Sequence, residues 1–324
     1  MRAIRVWILA VAAALAAGGA GRAEAAQALA PGVWLIPGGI RPDREPDGNT
    51  VVFAAPRGLV VFDTGRHAWH SQAILDFAKA RRAPVAAVVN SHWHLDHTSG
   101  NLALKRAWPG LKVYATDAID EALGGFLKRS AEQGREAVAR GGVPATLAED
   151  IAQDAAVSAD GARLKPDVVV RSSGRRPIAG RALDVRLANG ATRGDVWLFD
   201  PKTKVAAVGD LVTVPAPFLD TACPSGWRAA LDAIWATPFS VVVPGHGRPL
   251  SRAEFGAYRS AFSALVDCAA SGQDKQACAK AWALAIDPLI APDDATADRK
   301  RAVAWTVGYV EMLRGPGLAA NCVA

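Results

Sequence analysis

Cysteine is scarce in this chain, with four in 324 residues, and none of the four stands at the close spacing of a thiolate metal site. No run of five Lys or Arg occurs, so the formal charge of +6 does not gather into the basic stripe of a nucleic-acid-binding protein. Beyond residue 25 there is no stretch of 18 consecutive apolar residues, and the mature chain is expected to be soluble with no membrane span. The 30 Gly and 20 Pro have no period, which excludes collagen-like and low-complexity classes. With 51% hydrophobic and 21% charged residues, the chain is too apolar to stay disordered. Histidine is rare as well, at six, so where the histidines fall is informative.

The first 25 residues read as a secretory signal. Arg2 and Arg5 give a short basic start, Val6 to Ala17 is an apolar core, and Ala23-Glu24-Ala25 is a small-x-small cleavage site. An uncleaved anchor is the alternative, but the apolar core is shorter than the roughly 20 residues of a bilayer-spanning helix. Cleavage would remove three Arg and one Glu, leaving 34 basic and 30 acidic side chains in a periplasmic or secreted protein. In an oxidising compartment the four cysteines could pair in three ways. A polar turn between Cys268 and Cys278 favours that pair and leaves Cys223 with Cys322; buried free thiols in Ala-rich helices are the alternative.

Short apolar runs at 32–36, 50–54 and 59–62 predict strands, the last two joined by Ala55-Pro56-Arg57-Gly58. A helical pattern over 67–82, a buried strand at 85–89, a helix over about 98–108, a strand at 111–114 and a helix from Asp117 follow. Residues 120–160 read as a mobile helical insertion with Gly breaks at 124–125 and 141–142. Strands return at 168–170, 182–188, 196–199, 205–208 and 240–243, with helices at 227–235 and from Arg252 to the end, including an extension over about 267–324. Each half runs strands then helices, which predicts two sheets sandwiched between helices in one domain, 26–324.

The sharpest feature is His92-Trp93-His94-Leu95-Asp96-His97, directly after a buried strand. His92 and His94 are two residues apart and point the same way in extended backbone, while Asp96 and His97 follow at a neighbouring point. Neutral imidazoles with a carboxylate suit Zn²⁺, and the absence of thiolates fits a catalytic site. Trp93 and Leu95 fall on the opposite face and read as packing.

His-x-His-x-Asp-His after a strand resembles the metallo-β-lactamase fold, a family of αββα zinc hydrolases. The resemblance covers residues 32 to 266, and implies an α/β, four-layer αββα sandwich. Val60-Val61-Phe62-Asp63-Thr64-Gly65 resembles the family's first motif, whose Asp supports the metal ligands. Gly209-Asp210 after 205–208 resembles the segment whose Asp bridges two metals. Val243-Pro244-Gly245-His246-Gly247 resembles the last motif, whose His binds the second metal. The implied ligands are His92, His94, Asp96, His97, Asp210 and His246, with Asp63 behind them. Asp96 or Asp210 would orient the attacking water or return a proton to the leaving group.

One position departs from the pattern. Where the family has Gly-His-Thr-x-Gly-Asp, this chain has Gly190-Ala191-Thr192-Arg193-Gly194-Asp195, and a methyl group cannot bind zinc. One zinc held tightly, with the second weak or absent, is therefore expected; His67 or His70 could substitute as a ligand. The implied activity is cleavage of a small carbonyl compound (a β-lactam, lactone, thioester or other ester) by a zinc-bound hydroxide. A metal-binding or relay protein of the same fold that lost turnover is the alternative, motivated by Ala191. A phosphodiesterase is a lesser one, since no basic region for RNA is present. His94 argues against the family's iron-containing electron-transfer branch, which has Glu there. The partner is a small molecule, not nucleic acid, and a monomer is the expected state.

Overall fold

The computed structural model describes residues 26–292 and 295–322; the expected signal segment, 1–25, lies outside the described residues. The valine-rich segments pair into two sheets. In the first, β1 (Gln27–Ala30), β2 (Val33–Ile36), β3 (Thr50–Ala55), β4 (Gly58–Phe62), β5 (Val85–Val89), β6 (Lys112–Ala115) and β7 (Val168–Val169) lie side by side in chain order. Pairing is antiparallel up to β4 and parallel from β4 to β7. In the second sheet, β8 (Gly174–Ile178), β9 (Arg181–Ala188), β10 (Asp195–Asp200), β11 (Val205–Ala207), β12 (Val241–Val243) and β13 (Leu250–Ser251) also follow chain order. There β11 and β12 are parallel and the other pairs antiparallel.

Side-chain alternation divides each strand between two apolar layers. Val60 and Phe62 of β4 meet Val196 and Leu198 of β10 between the sheets. Leu59 and Val61 point the other way, under Ile74 and Ala78 of α1 (Ala68–Arg81) and Leu104 of α3 (Asn101–Ala107). Trp197 and Phe199 of β10 pack outward under α7 (Pro224–Trp235), α8 (Arg252–Ala270) and α9 (Lys275–Ile286), through Trp227, Phe262 and Trp282. α10 (Ala295–Arg314) adds Ala302 and Val310 to the same layer. The layers thus run helix, sheet, sheet, helix, an α/β arrangement of two mixed sheets. Among the described residues, no helix is long and apolar enough to cross a membrane.

Two differences from the sequence reading have physical causes. The helix expected over 98–108 is two, α2 (Leu95–Thr98) and α3, separated at Ser99-Gly100. Gly100 abuts Thr64, whose carbonyl oxygen would lie 2.1 Å from an added Cβ, and its N–H bonds Gly65 O instead of continuing a helix. Strands β1, β8 and β13 were not foreseen. All three lie at sheet edges, where half the pairing faces solvent and composition is free, and β8 even holds Pro177. The insertion forms α4 (Ile119–Gly124), α5 (Phe126–Arg140) and α6 (Ala145–Ala159), with helix ends at the two Gly pairs.

The C-terminal helices are fastened to the loop before α7. Trp282 donates through Nε1 to Pro215 O at 2.9 Å, and the cysteines form two disulfides, Cys223–Cys322 and Cys268–Cys278. Cys223–Cys322 spans 99 residues of sequence, so breaking it releases a long loop in the unfolded chain. Cys322→Ser is expected to lower unfolding free energy by about 2–4 kcal/mol, against the parent under non-reducing conditions.

Candidate metal centre

Loops that follow β4, β5, β11 and β12 carry the ligand-type side chains to one place. Asp63 leaves β4 with φ of +61° and is fully buried. Its carboxylate accepts from Ser91 N at 2.7 Å and Ser91 Oγ at 2.6 Å, and meets His97 Nδ1 at 2.9 Å. Ser91 spends its single hydroxyl proton on Asp63, so the 2.8 Å contact between Ser91 Oγ and His92 Nδ1 is a bond donated by the imidazole. Asp63 therefore orients His97 directly and His92 through Ser91, and in both rings Nε2 is left to face inward.

Those inward atoms converge. His97 Nε2 is 3.1 Å from Asp210 Oδ1 and 3.3 Å from Asp96 Oδ2; His246 Nε2 is 3.0 Å from Asp96 Oδ2 and 3.5 Å from Asp210 Oδ1. His92 Nε2 lies 3.6 Å from Asp210 Oδ2. Yet Nε2 of His92, His97 and His246 and Oδ1 of Asp210 are buried with no hydrogen-bond partner. Unpaired buried polar atoms are costly, and imidazole and carboxylate atoms gathered this way suit a shared cation. They form two groups, His92–His94–Asp210 and Asp96–His97–His246, each with its ligand atoms within 4.8 Å of one another.

Electrostatics favours the same reading. Burial works to raise the carboxyls of Asp96 and Asp210, but the histidines outweigh it and hold both below the usual range. Burial alone would depress His97; the carboxylates of Asp210, Asp96 and Asp63 overcome that and push it up, so the acids call for positive charge among them. His94 is lowered to about 4, chiefly by burial. Close approaches leave no room for larger residues: a Cβ on Gly245 would lie 2.0 Å from Asp210 Oδ1, and one on Gly48 2.5 Å from His97 Cε1. Asn49 ties these loops together, donating through Nδ2 to Pro244 O at 3.0 Å and Gly247 O at 2.8 Å.

The structure does not bring His67 or His70 into either group, so the option that one of them substitutes for the histidine missing at position 191 finds no support in the geometry. His67 Nδ1 pairs with Asp47 Oδ2 at 2.7 Å, and its Nε2 faces Asp150 Oδ2 at 3.3 Å. His70 Nε2 bonds Thr50 Oγ1 at 2.8 Å, beneath Asp63, because Thr50 gives its proton to Asp63 O. Both rings are already engaged as struts. Burial would raise the Asp47 carboxyl, but the His67 ring and backbone N–H, together with the nearby His70, prevail and hold it at about 2.

The insertion contributes to the rim. One face of α6 carries Glu149, Asp150, Gln153 and Asp154. Arg44 pairs with Glu149 at 2.9 Å and Asp150 at 2.5 Å, Arg66 pairs with Asp154, and Gln153 Nε2 donates to Arg66 O at 2.9 Å. The Arg66 guanidinium also lies 3.8 Å from Asp96 Oδ1. Partly exposed aromatic rings flank the histidines: Phe126 of α5 lies 6.2 Å from His94, and Phe218 5.2 Å from His246, with Trp305 of α10 6.0 Å beyond. Asp47, Ser91, Arg66, Asp150, Asp154, Phe126, Phe218 and Trp305 were not foreseen. Only Ser91, adjoining the histidine motif, carried a positional signal.

A family model described as the metallo-beta-lactamase superfamily matches residues 44–246. A linear primary-alkylsulfatase from Pseudomonas sp. (strain ATCC 19151) is 26% identical over 221 residues, 62% of this chain and 41% of that protein, so the match spans less than half of that relative. A metallo-beta-lactamase from Pontibacter korlensis superposes with a TM-score of 0.54 at 19% identity, covering 74% of this chain and 98% of its own. A stereoselective inverting sec-alkylsulfatase from Pseudomonas sp. gives a TM-score of 0.58 at 18% identity, covering 90% of this chain and 49% of its own. At such identities the two structures share the fold.

Proposed function

The chain belongs to the metallo-beta-lactamase superfamily, and from that premise we propose that it is an exported zinc hydrolase of small, apolar ester-type substrates. The observation that carries the reading is the set of buried, unpartnered imidazole and carboxylate atoms around Asp210. Export is supported by the two disulfides, which persist in oxidising compartments.

His92, His94 and Asp210 would hold one ion and Asp96, His97 and His246 another, with Asp210 reaching both groups. Zinc bound there supplies a Lewis acid and makes water nucleophilic near neutral pH. The chain does the rest. Asp63 fixes His97 directly, and His92 through Ser91, so that their Nε2 atoms stay turned inward. Asp96 stays ionised beside His97 and His246, with Oδ2 turned to their rings, so its carboxylate can orient the attacking water by accepting a hydrogen bond from it. Phe126, Phe218 and Trp305 give an apolar border that excludes water from the reacting bond and favours alkyl or aryl substituents.

A sulfate ester is the second reading, favoured by the sequence match to an alkylsulfatase. A panel of aryl esters, thioesters, lactones, β-lactams and alkyl sulfates, run with zinc counted per chain, separates the two. No turnover of any class by fully zinc-loaded protein would sink the hydrolase and leave a metal-binding protein. Phe218→Ala is expected to lower kcat/KM for an aryl ester about tenfold, the equivalent of ~1.4 kcal/mol of lost apolar contact. A small acetate ester should be nearly unaffected.

A further inference from the structure

His92 and His97 are each held through Nδ1 and turn Nε2 inward; His94 is arranged the other way round. Its Nε2 lies 3.0 Å from Thr221 Oγ1. The same hydroxyl lies 3.0 Å from Ala191 O, and a carbonyl oxygen only accepts. A threonine hydroxyl has one proton. With that proton on Ala191 O, the contact to His94 has to be donated by the ring, as Nε2–H to Oγ1. A neutral imidazole has a single N–H, so the lone pair is left on Nδ1.

We infer that Thr221 is the positioning residue of His94, fixing it as the Nε2–H tautomer and presenting Nδ1 to the group formed with His92 and Asp210. Each partner in the relay is itself fixed. The Ala191 carbonyl sits in a turn that Asp195 holds, accepting from Gly190 N at 2.8 Å, Thr192 N at 2.9 Å and Thr192 Oγ1 at 2.7 Å. Thr221 lies two residues before Cys223, whose N–H bonds Gly190 O at 2.8 Å and whose sulfur is tied to Cys322. The residue that lacks an imidazole therefore still serves the centre, through its backbone. With one side-chain ligand fewer, the group depends more heavily on the orientation of the two rings it keeps. The role assigned to Nδ1 rests on the metal-centre reading above; the tautomer does not.

Long-range ¹⁵N–¹H correlation spectra of the metal-stripped, ¹⁵N-labelled full chain at neutral pH test the inference, with His94 assigned by its loss in His94→Gln. The parent should show His94 as Nε2–H, Thr221→Val should shift it toward the Nδ1–H form, and Thr221→Ser should restore it. In cobalt titrations Thr221→Val should weaken the His92–His94–Asp210 group by about 10- to 100-fold, while Asp96–His97–His246 fills as in the parent. An Nδ1–H ring in the parent, which needs no variant to observe, overturns the inference. So does a folded Thr221→Val chain with unchanged tautomer and unchanged metal affinity. A chain that binds no metal would defeat the hydrolase reading while the tautomer still decides this one.

Discussion

Asp210→Asn is expected to remove tight metal binding and, with it, turnover. Asp210 follows β11 on a short 3₁₀ turn, Gly209–Leu211, and its two oxygens reach opposite ways. Oδ1 is 3.1 Å from His97 Nε2 and 3.5 Å from His246 Nε2, while Oδ2 is 3.6 Å from His92 Nε2. It is the carboxylate that spans both groups. Asparagine keeps the shape, removes the charge, and puts an N–H₂ donor where a ligand oxygen stood. Even partners that only orient a ligand are worth about 10–100-fold in affinity, so loss of a spanning ligand should exceed ~100-fold. Zinc per chain after dialysis and hydrolysis of the preferred ester provide the measurement. An Asp210→Asn chain that retains parental zinc would show that the assignment of ligands is wrong.

The second large effect is on stability. Arg66 lies beside Asp154, Glu45 and Asp96, with its side chain only 9% exposed. Arg66→Met would leave Asp154 of α6 without its cationic partner, and breaking a largely buried pair from one side destabilises by up to about 3–5 kcal/mol. The melting temperature should fall accordingly, and a variant melting with the parent would contradict the role of this pair. Asp154 also gives a pH signature. Burial raises its carboxyl to about 6, against the attraction of Arg66. The folded-state value lies above the ~3.9 of a free aspartate. Its contribution to stability is therefore full below about pH 4 and is lost as pH rises through about 6. Asp154→Asn should flatten the stability curve across that window.

The fold was legible because its signals are repetitive. Val60-Val61-Phe62 and Val196-Trp197-Leu198-Phe199 each state two buried faces by alternation, and the His92–His97 motif marks a strand end by spacing alone. Edge strand β8, Gly-Arg-Arg-Pro-Ile, states nothing of the kind, since only one side of it is paired. The supporting polar residues were illegible for another reason. Asp47, Thr221 and Asp150 act through contacts to residues far away in sequence, and an isolated polar side chain has no period. His67 and His70 show the converse. Their closeness to Asp63-Thr64-Gly65 made them eligible as ligands, but Asp47 and Thr50, supplied by the loop before β3 and by its first residue, engage the rings first.

The two sheets are each laid down in chain order, and the centre draws on both. As the chain emerges from its N-terminus, the turn with His92, His94 and His97 can form while Asp210 and His246 are still unsynthesised. The early half thus holds imidazoles and Asp96 but not the carboxylate that spans the two groups. Strong affinity has to wait for the pairing of β11 with β12 and for their docking onto the first sheet, contacts that are distant in sequence and slow to form. Such a site is complete only when both halves are in place. It gives a nascent or half-folded chain little hold on metal, and it makes metal uptake a report that both halves have met.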